Sequence, residues 1–246
     1  MTLQQTAAFI DKIAIWVRKM NEATPRVEDA IQSRKSVRAF LPDPVPREQL
    51  EHILRVALRA PSGGNLQPWR LYVLSGAARD RLVAAVREYR KNSPMGDAPE
   101  YPVYPPNLNE PYRSRRFLLG EAMYATMNIP REDKAARLAF FAHNWEFFGA
   151  PAGMIITMDR QMGVGQWADL GMLLQNIMLL ARTHGLHTCP QESWSSFHHV
   201  IRRELPIGEH EMVFAGMAIG YADSAHPVNT LYSERAPLEE IVTFIS

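Results

Sequence analysis

Apolar positions along the chain fall into two periods. Leu50, Ile53, Leu54, Ala57 and Leu58 recur at i, i+3, i+4, i+7 and i+8, which predicts a helix with one apolar face, entered at Pro46 and stopped by Pro61. A second helix is expected over 166–182, where Leu170, Leu173, Leu174, Ile177, Met178 and Leu180 cover more than half the circumference, with Gly185 as its stop. Further helices are expected over 3–20, from Val27 to about residue 34, from Gly76 to about Tyr89, near 112–127 and 131–147, and over 195–204. Residues 69–74, 154–158 and 212–220 read as buried strands. Strands that are apolar throughout need cover on both faces. The expected fold class is therefore α+β: a small central sheet flanked by helices on both faces. The long segment 92–111, rich in proline and tyrosine, reads as a lid or rim, or as a packed surface loop.

Two polar segments interrupt this pattern. Pro61-Ser62-Gly63-Gly64-Asn65-Leu66-Gln67-Pro68-Trp69 joins a helix to a strand, with glycines that let backbone approach a flat ligand and side chains that donate and accept. It could equally be an ordinary connection. Ser33-Arg34-Lys35-Ser36-Val37-Arg38-Ala39-Phe40 places three cations and a hydroxyl at a helix end, a set suited to phosphate or to a solvated helix terminus.

Composition removes other chemistries. The 246 residues carry 27 basic and 26 acidic side chains, a balance that argues against nucleic acid or an anionic membrane as partner. The single cysteine, Cys189, allows no disulfide and no Cys-x-x-Cys pair, so electron chemistry would need a cofactor. No run reaches membrane-span length and no signal-peptide pattern opens the chain, so a cytoplasmic protein is expected. His184, His187, Cys189, His198 and His199 match no standard zinc spacing, and adjacent His198 and His199 are expected to point apart. Gly163-Val164-Gly165-Gln166-Trp167-Ala168 breaks the dinucleotide-binding pattern at its last glycine, and no Gly-x-Ser-x-Gly elbow exists.

Together the two polar segments, with Ser233-Glu234-Arg235 before Pro237-Leu238-Glu239-Glu240, resemble the nitroreductase family of flavin mononucleotide (FMN) enzymes. The resemblance runs from about Val27 to the C-terminus. It implies an intertwined homodimer with a C-terminal arm, an extension over 1–25 and one FMN-binding domain over 26–246, its lid or rim near 92–147. It implies that Arg34, Ser36 and Arg235 hold the FMN phosphate. Pro61, Ser62, Gly63 and Asn65 would meet the ring system, often from the partner subunit, and Arg38 would lie at the pyrimidine edge. Pro190, Gln191, Glu192 and Ser193 match the loop beside flavin N5, where a backbone N–H of Glu192 or Ser193 would bond N5. Ser193 stands where the family usually has glycine. Lys35 and Gln67 complete the expected cofactor-binding set; no metal ligand and no acid–base residue are expected. The implied activity is ping-pong transfer of hydride from NADPH or NADH to a small aromatic acceptor, most simply a nitroaromatic compound. Quinones, activated alkenes, free flavin or aryl halides are alternatives, as is a non-catalytic flavin-binding protein.

Overall fold

The computed structural model describes residues 26–246; the helix expected over 3–20 lies outside them. In chain order the elements are α1 (Val27–Ser33), α2 (Arg47–Ala57), β1 (Trp69–Ser75), α3 (Gly76–Tyr89), α4 (Tyr112–Ala125), α5 (Lys134–Ala142), β2 (Ala152–Asp159), α6 (Val164–Thr183), β3 (His187–Gln191), α7 (His198–Glu204), β4 (Glu211–Gly220) and α8 (Leu238–Ile241). The strands form one antiparallel sheet in the order β1-β2-β4-β3.

Side-chain alternation along β2 divides the core. Met154, Ile156 and Met158 face α2 and α6, meeting Ile53, Leu170, Leu173 and Ile177. Ile155 faces the other way, onto Leu82 and Val86 of α3, Ile201 of α7 and the ring cluster of Trp145, Phe147, Trp194 and Phe197. Each fully buried isoleucine contributes about 1.5–3 kcal/mol of transfer free energy. Every residue of β4 is buried, as a central strand between two helical layers requires. Gly216 is needed there because a Cβ would stand 2.2 Å from Trp194 Cδ1.

Several expectations change. β1 is an edge strand with exposed positions, not a buried one; its aromatic and branched residues suit either place. β3 was not expected as a strand. Pro190 disfavours interior pairing, and an edge strand tolerates it. The helix expected near 131–147 ends at Ala142 in a 3-10 segment (His143–Gly149), where Phe147 and Phe148 take φ of 52° and 51°. The 195–204 helix is a 3-10 turn (Glu192–Phe197) followed by α7.

The 92–111 segment is anchored to the core at Glu100 and Tyr101. The β2–β4 register slips between Ile156 and Thr157, leaving Phe214 as the extra residue of a bulge. Its carbonyl accepts a hydrogen bond from the buried Tyr101 hydroxyl at 2.5 Å, and Tyr101 stacks on Phe214 and meets Trp167 edge-on. Glu100 accepts the Val213 N–H at 2.8 Å and pairs with Arg202 and Arg160. Beyond it the segment is mostly exposed, with Tyr104 under the Arg116 guanidinium at 4.1 Å.

Candidate functional site

The strap 34–38 leaves α1 in extended conformation and runs beside β3. Ser36 bridges Thr188, and the Val37 N–H donates to the Thr188 carbonyl at 3.1 Å. Alternation then separates the side chains. Val37 and Ala39 are buried, while Arg34, Lys35, Ser36 and Arg38 keep partial exposure. Arg34 is pulled below the ordinary guanidinium value by burial and by the nearby Arg235. Two cations distant in sequence thus come near enough to interact, an arrangement that favours an anion beside them. Arg235 rests on Ser233, donating to its hydroxyl at 2.8 Å.

Asn229 organises the strap. It is 5% exposed; its Oδ1 accepts the Arg38 N–H at 2.9 Å, and its Nδ2 donates to the carbonyls of Ala39 at 2.8 Å and Asp223 at 2.9 Å. Its backbone carbonyl accepts from Lys35 Nζ. Lys35 is therefore turned toward Asn229. Arg38 reaches back to the Ser36 carbonyl at 3.3 Å and lies near Cys189, whose thiol burial pushes up to about 11. Tyr124 of α4 also senses Arg38: burial raises its phenol, while Arg137 and Arg38 oppose that shift.

At the end of β3, Gln191 is buried and donates to the Asn144 carbonyl at 2.5 Å, while the Ser193 carbonyl accepts from Trp145 Nε1 at 2.9 Å. The turn Glu192–Phe197 has no side-chain cap at Gln191, so its first N–H groups lack the partner a cap provides. Gln191 Oε1 and Ser193 Oγ are buried with no hydrogen-bond partner among the described residues. Burial raises the Glu192 carboxyl above its ordinary range. Backbone donors, a buried amide oxygen and a hydroxyl thus collect at one sheet edge, beside the strap that carries Ser36 and Arg38.

The 61–67 loop sits elsewhere. Gly63 N–H donates to both oxygens of buried Asp169 on α6, at 3.2 and 3.3 Å. Ser62 Oγ accepts the Gln67 N–H at 3.0 Å, and Gly64, Asn65 and Gln67 all take positive φ. Pro61, Gly63, Asn65 and Gln67 are exposed. Among the described residues no hydrogen bond ties this loop to the strap or to 190–193. One chain brings together the strap, Arg235 and the β3 edge, and presents the loop outward. No sequence motif marks Asn229, Asp169 or Asn144 as organising residues; Asn229 sits in a 3-10 turn opened by Pro227.

The fold and this edge define an α+β protein with a basic strap next to a buried amide oxygen and a buried hydroxyl on a sheet margin. A sequence model of the nitroreductase family matches residues 31–221. The chain belongs to the nitroreductase family. It is 42% identical over 226 residues to a chloronitrobenzene nitroreductase of Comamonas testosteroni, spanning 90% of this chain and 98% of the relative. It is likewise 42% identical to a nitrobenzene nitroreductase of Ectopseudomonas oleovorans, with the same coverage. The crystal structure of the FMN and NADPH-dependent nitroreductase NfnB from Sphigopyxis sp. strain HMH superposes with TM-score 0.87 at 44% identity, covering 90% of this chain and 99% of that one.

Proposed function

We propose that this protein is an FMN-dependent reductase that takes hydride from NADPH or NADH and reduces nitroaromatic compounds. The observation that carries the reading is that Arg235, far away in sequence, comes near enough to Arg34 to lower its guanidinium value, so that an anion bound there would be favoured by both. FMN, when bound, supplies a flat ring that accepts a hydride and passes it on. The chain supplies the rest. Arg34, Ser36 and Arg235 bind the phosphate, and Arg38 places positive charge at the ring edge, favouring the electron-rich form. The backbone N–H of Glu192 or Ser193 orients the reacting nitrogen. Relatives named for nitrobenzene and chloronitrobenzene point to the acceptor class. Quinones, activated alkenes, free flavin and aryl halides remain alternative acceptors on the same scaffold.

The outward-facing 61–67 loop leads us to infer a homodimer in which each chain offers this loop to its partner's flavin. Two apolar features support a second copy as neighbour. Helix α4 buries none of its residues, although it carries Phe117, Leu118 and Leu119. The segment after Pro237 exposes Leu238, Ile241, Phe244 and Ile245, and is tied to α4 by a 2.9 Å Arg115–Glu240 ion pair. Residues 26–246 form the cofactor-binding domain in this reading, and 1–25 extend it. No helix among the described residues is long and apolar enough to cross a membrane; a cytoplasmic location is our proposal.

The test is direct. The purified protein should be yellow, with one FMN per chain, bleach anaerobically on NADPH or NADH, and recover its colour on adding nitrobenzene. A colourless protein that takes up no FMN would end the proposal. Recovery with menadione but not with nitrobenzene would move the activity to quinones. No recovery with either would leave a flavin-binding protein.

A further inference from the structure

On the α3–α7 face, three side chains converge that the sequence does not place together. His198 and His199 open α7, and their rings do not point apart: the centroids lie 4.0 Å from each other at a 42° tilt. Asp97 comes to them from the 92–111 segment. Gly96 makes that approach possible, with φ of +79° and no room for a Cβ, which would stand 2.3 Å from the Ser196 carbonyl. The Asp97 N–H then donates to that same carbonyl at 2.7 Å. One ligand-capable atom from each of Asp97, His198 and His199 lies within 4.8 Å of the other two.

The surroundings hold these groups ready. Asp97 Oδ1 accepts the Tyr89 hydroxyl at 2.7 Å, which fixes the carboxylate, while Oδ2 is buried with no hydrogen-bond partner among the described residues. The Ala98 backbone hydrogen-bonds the His198 ring. An imidazole oriented by a backbone group and a carboxylate oriented by a hydroxyl are the usual supports of metal ligands. Glu100 is not a ligand: it stands 3.9 Å from His198 Nδ1 and is engaged by Arg160 and Arg202.

We propose that Asp97, His198 and His199 bind one divalent transition-metal ion of the zinc class, stapling the 92–111 segment to α7. Two imidazoles and a carboxylate, with water in the fourth position, are a donor set that zinc takes. Tetrahedral zinc with bonds of about 2.0–2.1 Å sets its ligands about 3.3–3.5 Å apart. Closing the present spread requires a side-chain rotation, which exposed His199 is free to make. The site adjoins the turn that follows the β3 edge but uses none of the residues proposed to hold FMN, and does not depend on the FMN reading.

The experiment titrates metal-stripped protein with zinc chloride by calorimetry and follows thermal unfolding with and without zinc. We expect one tight equivalent per chain and a raised midpoint. His199→Ala and Asp97→Asn should each weaken binding roughly tenfold or more and abolish the zinc-dependent rise. Tyr89→Phe, which only frees the carboxylate, should weaken it by about 10-fold. His52→Ala is the control: its ring meets His184 at 5.2 Å, and it belongs to no such cluster. His199→Ala alters an exposed side chain, so circular dichroism should match the parent and make its result decisive even if Asp97→Asn folds poorly. Absence of a tight equivalent, unchanged binding in His199→Ala, or loss of binding in His52→Ala would overturn the proposal.

Discussion

Replacing Asn229 with alanine tests whether the basic strap is shaped by one buried amide. The substitution removes three side-chain hydrogen bonds, from Arg38 N–H to Oδ1 and from Nδ2 to the carbonyls of Ala39 and Asp223. They are unequal. The Ala39 carbonyl keeps a second donor, the Asp223 N–H at 3.0 Å, and the Asp223 carbonyl keeps the His226 N–H at 3.2 Å, so losing one donor costs little at either. The Arg38 N–H loses the partner that Asn229 gives it. A buried group left unpaired costs about 1–3 kcal/mol. For a chain of this size each kcal/mol moves the thermal midpoint by about 2–4 °C, so a fall of roughly 2–12 °C is expected. The strap carries Arg34 and Arg38, so FMN affinity, read by fluorescence quenching of added FMN, should fall as well. Thr230→Ala is the control. That hydroxyl is exposed and bonds only the Pro227 carbonyl at 2.8 Å, so the midpoint should hold within about 2 °C. An Asn229→Ala protein that melts with the parent and takes up FMN equally well would refute this reasoning.

Other expectations follow from the same contacts. Arg34→Ala should weaken FMN binding more than it alters the flavin potential, whereas Arg38→Ala should do the reverse. A charge-assisted contact of about 1.5–3 kcal/mol corresponds to a potential lower by some tens of millivolts, and potentiometry on both variants decides it. Gly216→Ala, whose Cβ would meet Trp194 at 2.2 Å, should cost about 1–3 kcal/mol in urea unfolding and alter tryptophan emission; unchanged emission and stability would show that the strand gives way. Burial alone would raise the Glu211 carboxyl, but bonds from Thr157, Tyr72 and the Gly208 N–H hold it below its ordinary 4.5. A depressed carboxylate adds stability that is full above 4.5 and lost as pH falls through the folded value. Glu211→Gln should therefore be less stable at neutral pH and lose less on acidification. Parallel acid limbs in the two proteins would count against it.

How far the fold was legible depended on what each residue type reports. Helix α6 runs within two residues of its expected limits because its apolar positions keep helical spacing without a break. The apolar run of β4 was equally plain. Composition could not say that β1 lies at an edge, because valine, leucine and tyrosine suit edge and centre alike. It hid β3 behind Pro190, which is tolerated there only because no further strand follows. Segment 92–111 read as one loop, yet Glu100 and Tyr101 are core anchors. Their partners, Val213 N–H and the Phe214 carbonyl, become visible only once the bulge in β4 is known. The candidate site divides in the same way. Cations and loop residues announced themselves by type, whereas Asn229 and Asp169 act through burial, which local sequence does not report.

That division explains the exposed loop's conformation. Asn65 and Gln67 take φ of 57° and 49°, in a region that side chains other than glycine occupy at a cost of order 1–3 kcal/mol each. Such strain persists only where neighbours over-determine the backbone. Here they do: Ser62 Oγ receives the Gln67 N–H, the Ser62 carbonyl receives the Asn65 N–H at 3.0 Å, and buried Asp169 grips Gly63 from α6. All of these bonds come from the chain itself, so ordering the loop adds little to the cost of binding. The strap follows the same logic through Asn229. The chain spends buried amide and carboxylate groups on fixing backbone, and leaves the guanidinium, hydroxyl and amide groups that a cofactor would meet on the accessible side of each fixed segment.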